Sequence, residues 1–171
     1  ITEDAIEIEG EVINKEDYSG VWVFAEQREN VISPVVFELL GKGRELADKR
    51  ETELTAVLLG HQVEALTDEL IACGADKVIT IDDIAVKDFT DQAYTDALTA
   101  LAEKYKPEII LAGASNVGRS FIPRVAIKLH TGLTADCTSL DIDPETGNLM
   151  QTRPAFGGNI IATIINPDCR P

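Results

Sequence analysis

The sequence predicts an α/β domain: a parallel twisted sheet with helices on both faces, closed by antiparallel strands at its C-terminal end. Three observations predict it. The run Val21-Trp22-Val23-Phe24-Ala25 has the unbroken hydrophobicity of a strand buried on both faces. A short apolar run followed by a helical stripe then recurs three times, and strands alternating with such helices require right-handed crossovers within one parallel sheet. After Gly132 that alternation stops, and three strand-like runs follow.

Residues 1–17 are acidic, with Ile6, Ile8, Val12 and Ile13 as apolar anchors, and are expected to form a tether with one short strand. Ser33-Pro34 supplies an N-cap and a first-turn proline, and Val36, Leu39, Leu40, Gly43 and Ala47 fall on one stripe of the helix that follows. The next strands are expected at 54–59, 77–81 and 109–112, with helices around 63–73, from Thr90, and from near Gly118. In the helix from Thr90, the residues Ala93, Tyr94, Ala97, Leu98, Leu101, Ala102 and Tyr105 keep the i, i+3, i+4 rule. The antiparallel ending is expected at 134–142, 148–155 and 160–165, with a turn at 143–148. Its edge suits either docking of another domain or subunit, or plain extension of the sheet.

At 171 residues the chain fits one domain and buries about 70% of the surface its unfolded form exposes. A net charge of −15 with no basic stripe disfavours nucleic acid and anionic membrane surfaces as partners. No apolar run approaches the roughly 20 residues that span a bilayer. Cys73, Cys137 and Cys169 are odd in number and far apart, which argues against disulfides or structural zinc. They are read as buried, inert thiols of a cytoplasmic protein. Both ends read as cut, since residue 1 is Ile and the turn-rich run 166–171 leads onward.

The stretch Gly113-Ala114-Ser115-Asn116-Val117-Gly118-Arg119 lies where open parallel sheets bind ligands, outside the carboxyl end of a strand. Free N–H groups at the helix start, with Arg119 beside them, suit an anion. Equally, Ser115 or Asn116 caps the helix while Gly113 and Gly118 admit close helix-to-strand packing. Neither G-x-x-x-x-G-K-S/T nor G-x-G-x-x-G is present, and the first strand ends in Ala25-Glu26-Gln27 rather than a glycine loop. G-x-S-x-G is absent too, and neither His61 nor His130 has a local setting that orients it. No catalytic or metal-ligating residue is nominated, and acidic pairs such as Asp82-Asp83 read as solvated surface. Arg153 stands apart. Pro154 fixes the chain direction after it, and Gly157-Gly158 let another surface approach. A contact with an anionic ring system and a salt bridge to Asp136 are both open for it.

The segments Val23-Phe24-Ala25-Glu26, Phe37-Glu38-Leu39-Leu40-Gly41, Gly113-Ala114 with Gly118-Arg119 and Pro123-Arg124, Thr131-Gly132-Leu133-Thr134-Ala135-Asp136 and the run 152–159 occur in this order. Over residues 18–171 the chain resembles the N-terminal domain of the alpha subunit of electron-transferring flavoproteins. The resemblance implies an adenine-nucleotide-hydrolase-like, Rossmann-like fold that has lost nucleotide binding and packs on a homologous beta subunit. It also implies that FAD sits in a C-terminal domain absent from this chain, and that the fragment alone is no enzyme but part of an electron carrier subunit of a flavin-dependent oxidoreductase complex. Thr152-Arg153-Pro154-Ala155-Phe156-Gly157-Gly158-Asn159 looks like the bifurcating branch, which carries a second FAD in the beta subunit and takes electrons from NADH. By that resemblance Arg153, with Pro154, Gly157 and Gly158, would wall the beta-subunit flavin. The electron partners implied are an acyl-CoA dehydrogenase, a related flavoprotein or ferredoxin. Asp4-Ala5-Ile6-Glu7 looks like the close of a ferredoxin-like extension that carries 4Fe-4S iron–sulfur clusters. A nucleotide-binding domain and a pure assembly domain of the same fold are the alternatives.

Overall fold

The computed structural model describes residues 5–8, 11–14, 17–155 and 160–165. Phe156, Gly157, Gly158, Asn159 and Cys169 lie outside the described residues. Strands β1 (Ala5–Ile8) and β2 (Glu11–Asn14) pair antiparallel with Ile6 opposite Ile13, so the acidic segment holds two strands where one was expected. A lone strand would leave its backbone groups without partners, and the second apolar pair supplies the facing strand.

The central sheet is parallel throughout, as the alternating pattern predicts. Its strands are β3 (Val21–Ala25), β6 (Leu54–Gly60), β7 (Lys77–Asp82) and β8 (Ile109–Leu111), in the spatial order β7-β6-β3-β8. Side chains alternate between two cores. Val21, Val23, Leu54, Ala56 and Leu58 face α1 (Pro34–Lys49) and α2 (Leu66–Ala72), whereas Trp22, Phe24, Val57 and Leu59 face α3 (Asp91–Tyr105) and α4 (Asn116–Lys128). The second core is aromatic: Phe24 meets Phe121 edge-on at 4.9 Å and Phe89 meets Tyr94 at 4.9 Å. Between β3 and α1 a small hairpin intervenes, β4 (Gln27–Arg28) with β5 (Val31–Ile32), turning through Glu29 and Asn30, both with positive φ. Its strands are two residues long and carry no periodicity, so no sequence pattern predicts it.

Helix starts follow local chemistry. Pro34 occupies the first turn of α1, where its missing N–H costs no hydrogen bond, although Ser33 makes no side-chain cap. Thr90 caps α3 by accepting from the Ala93 N–H at 3.3 Å.

The C-terminal part forms a separate antiparallel sheet, β9 (Ser139–Ile142), β10 (Leu149–Ala155) and β11 (Ile160–Ile165), with β10 in the middle. The expected strand at 134–142 is shorter than its apolar pattern suggested: residues 131–138 are irregular. Thr131 and Asp136 bond to α4, and Thr138, at the end of the segment, reaches a strand, through its N–H to the Thr152 carbonyl. The sheet is seated on α1 by Ile142 in the first core, by the Lys49–Asp141 ion pair, and by the Arg50 guanidinium beneath Gly147.

Asp76 ties the opposite side of α1 to the sheet. Its Oδ2 accepts from the Leu54 N–H at 2.7 Å and from Arg44 Nη1 at 2.7 Å. The Leu54 N–H first, and the Arg44 guanidinium second, hold the Asp76 carboxyl below its ordinary value. A carboxyl with a depressed folded-state pKa contributes stability that is present above its unfolded value, about 3.9, and is lost as pH falls through the lower folded value. Asp76→Asn is therefore expected to lower the urea midpoint at neutral pH and to flatten the acid decline below about pH 4. Parallel curves for the two proteins across that range would refute this.

Candidate functional site

The strand order reverses between β3 and β8, so the crevice outside their carboxyl ends is where a sheet of this kind takes a ligand. Glu26 and Gln27 form one lip, and the turn from Ala112 to Ser115 forms the other. Ser115 caps α4: its Oγ accepts from the Gly118 N–H at 3.0 Å and donates to the Glu26 carboxylate. The positive end of the α4 dipole thus already faces a carboxylate of the same chain. A phosphate entering there would meet a like charge, and the capping reading of Ser115 holds over the anion reading. Both glycines serve close approach. A Cβ on Gly118 would lie 2.0 Å from the Gly113 carbonyl oxygen, and one on Gly113 would lie 2.9 Å from Val35 Cγ1.

The neighbouring strand ends are also tied internally. Asp82 accepts from the N–H groups of Gln62 (2.7 Å) and Val63 (3.0 Å), and Asp83 accepts from the Ala85 N–H at 2.8 Å to cap the short turn Ile84–Val86. Both aspartates are exposed, as expected, and in addition accept from loop N–H groups at the ends of β6 and β7. His61 Nδ1 lies 3.5 Å from Asp82 Oδ1.

Cations gather instead near the irregular segment 131–138. Arg119, in the first turn of α4, donates from Nε to the Ala114 carbonyl at 2.9 Å and from Nη2 to Asp136 Oδ1 at 2.5 Å. Asp136 has a φ of 57°, a left-handed conformation that Asp tolerates better than most side chains. The next residue, Cys137, is half-buried, and its thiol donates to the Thr134 carbonyl at 3.4 Å. Burial pushes that thiol up, the Arg153 charge opposes the shift, and the Asp136 charge adds to it. Cys73 departs from the expected buried thiol. It is exposed, because α2 ends there and only Leu66 and Leu70 of that helix turn inward.

Arg153 lies in β10 opposite Ala162 of β11. Strand β9 pairs with β10 only as far as Thr152, where the Thr138 N–H donates to the Thr152 carbonyl at 2.8 Å. Successive residues of a strand direct their backbone groups to opposite neighbours, so Pro154 faces the side that β9 has left, where its missing N–H breaks no pair. Leu149, Gln151 and Arg153 share one face of β10 by the same alternation. The first two line a groove of about 580 Å³ beside the free edge of β8, and Cys137 lines it too. Arg153 continues that row beyond the groove. It is half-buried, and among the described residues it has no ion-pair partner, since Asp136 is held by Arg119. Of the two roles open to Arg153 in the sequence, the structure fills the salt bridge with a different arginine.

Residues 21–171 match the family profile described as "Electron transfer flavoprotein domain". The chain belongs to the electron transfer flavoprotein family. Among its relatives is the electron transfer flavoprotein subunit alpha of Clostridium acetobutylicum, 54% identical over 159 residues, which cover 93% of this chain and 47% of that protein. The acryloyl-CoA reductase electron transfer subunit beta of Anaerotignum propionicum is 46% identical, with 90% of this chain and 48% of the relative covered. Subunit LctC of the lactate dehydrogenase (NAD(+),ferredoxin) of Acetobacterium woodii is 46% identical, with 93% and 38% covered. The chain spans about half the length, or less, of these relatives.

Membership in an electron transfer flavoprotein family raises the question of where these residues fit FAD. The switch-point crevice does not fit its phosphates, because Glu26 occupies the helix terminus that would hold them. Arg153 is a planar, permanently charged donor with no ion-pair partner among the described residues. None of the described helices is long and apolar enough to cross a membrane, and the described residues hold no cluster of ligating side chains suited to a metal.

Proposed function

We propose that this chain is the N-terminal domain of an electron-transferring flavoprotein alpha subunit of the bifurcating branch, which docks the beta subunit and walls the flavin that the beta subunit holds. The observation that carries the reading is Arg153, a half-buried guanidinium with no ion-pair partner among the described residues, placed at the open end of a seated sheet. FAD supplies the redox chemistry by accepting and releasing electrons one or two at a time. Arg153 places positive charge where a reduced ring gains negative charge, and Pro154 holds the strand direction beside it.

Docking has its own support. Strand β11 is an outer edge of its sheet, and Ile160 and Ile161 are 57% and 72% exposed, an apolar edge that invites coverage by another chain. The NAD(+) and ferredoxin in the name of the lactate dehydrogenase relative, and the acryloyl-CoA reductase in that of another, favour NADH as donor and a flavin dehydrogenase of acyl-CoA type or ferredoxin as acceptors. Gly157 and Gly158 complete the proposed wall. Clusters of the 4Fe-4S type in an N-terminal extension form the remaining part of the proposal.

The test is the visible spectrum and flavin content of the complete protein purified with whatever binds it. Two FAD per alpha–beta heterodimer are expected, with a broad iron–sulfur shoulder if the extension is present. One FAD per heterodimer would overturn the bifurcating assignment. A colourless preparation that cannot be reconstituted with FAD would overturn the reading altogether.

A further inference from the structure

We infer that Arg119 is a positioning residue for Arg153: by holding the Asp136 carboxylate against α4 it keeps that carboxylate off the Arg153 guanidinium. The inference rests on the reading of Arg153 given above. Asp136 is the anion in dispute. Two residues after it, the Thr138 N–H donates to the Thr152 carbonyl at 2.8 Å, so the loop that carries the Asp136 carboxylate is pinned to β10 at the residue before Arg153, and the Cys137 thiol between them feels both charges.

Arg119 settles the contest by geometry. Its planar fork makes two bonds in different directions, to the Ala114 carbonyl at the start of α4 and to Asp136, and the first aims the second. Asp136 takes a left-handed backbone there (φ 57°) and meets Arg119 through its carboxylate. The pair is 58% and 47% exposed at the side chains, and exposed pairs are weak. No burial therefore locks Asp136 in place, and once Arg119 is gone, the carboxylate is free to take the other arginine. Neutralised in that way, Arg153 would offer less positive potential to a ring beside it.

The experiment is a spectroelectrochemical titration of the complete alpha–beta complex carrying Arg119→Ala, Arg119→Ala with Asp136→Asn, Asp136→Asn alone, and Arg153→Ala. Arg119→Ala is expected to lower the midpoint potential of the flavin facing Arg153, in the direction of Arg153→Ala but by less. Adding Asp136→Asn is expected to restore it, because asparagine keeps the left-handed backbone and removes the competing charge. Asp136→Asn alone is expected to leave the potential at or above the wild-type value. A loss that Asp136→Asn does not restore would show that Arg119 acts through the fold of the loop only, and would overturn the inference. So would an Arg119→Ala potential equal to wild type while Arg153→Ala shifts. No shift for Arg153→Ala would instead remove the reading of Arg153 and this inference with it. If Arg119→Ala does not fold, Arg119→Gln keeps a donor for the Ala114 carbonyl while removing the charge, and the same restoration by Asp136→Asn decides.

Discussion

Replacing Arg153 by alanine in the complete complex is expected to lower the potential of the flavin it faces by as much as about 0.2 V for one electron. The figure follows from charge and distance. A cation about 4 Å from a reduced, anionic ring, at an effective dielectric near 20, favours the reduced form by roughly 4 kcal/mol. The oxidised ring also accepts hydrogen bonds from a guanidinium, so the differential stabilisation is smaller than the full Coulomb energy and the value is an upper bound. Arg153→Lys separates the contributions: it keeps the charge on a flexible stem and loses the planar fork, and is expected to retain part of the potential. A titration in which Arg153→Ala matches the wild type would take Arg153 out of the electron-transfer mechanism. A surface arginine with no cofactor role would produce that result.

Gly118→Ala is expected to be strongly damaging, with a loss of about 3 kcal/mol or more in urea unfolding. The added Cβ would lie 2.0 Å from the Gly113 carbonyl oxygen and 3.2 Å from its carbon. Those are backbone atoms of the turn that joins β8 to α4, so nothing at the end of a flexible side chain can yield. Relief would require the start of α4 to move off the sheet, breaking the Ser115 cap and shifting Arg119 and Phe121 together. Gly41 is the internal control. It lies in the exposed face of α1, where a new Cβ meets nothing within 4 Å, and Gly41→Ala is expected to stabilise by about 0.5–1 kcal/mol through helix propensity and lost chain entropy. Equal effects at the two positions would show that the close approach at Gly118 carries no strain.

Much of the fold was legible in the sequence because it is written in local patterns. The five apolar residues of β3 announce a strand covered on both faces, Thr90 and Ser115 announce helix starts, and the turn through Asp143 and Gly147 announces the β9–β10 hairpin. Where the reading missed, the local signal was short or misleading. The β4–β5 hairpin has too few residues for a period, and the expected strand at 134–142 begins only at Ser139 because residues 131–136 alternate like a strand but bond to α4 through Thr131 and Asp136. Cys73 was read as buried by the habit of its residue type, whereas exposure is set by which side of α2 faces the sheet.

The candidate site divides in the same way. Arg153, Arg119, Asp136 and the glycines at 113 and 118 were all visible as residue types in promising places, and family resemblance pointed to the first. Which cation holds Asp136 was not visible. Arg119 and Arg153 lie 17 residues on either side of it in sequence, so spacing offers no preference, and only the departure of β9 from β10 at Thr152 puts the carboxylate beside α4. The same holds for Glu26 and Ser115, 89 residues apart, which meet because the parallel pairing of β3 with β8 aligns their carboxyl ends. By itself, then, the sequence determined the elements, their order and the two-faced burial of the sheet, since hydrophobic period and capping act over a few residues. The tertiary structure decided which charges are spent and which are left over, because a hydrogen bond between distant residues depends on angstrom-scale geometry that no local pattern encodes.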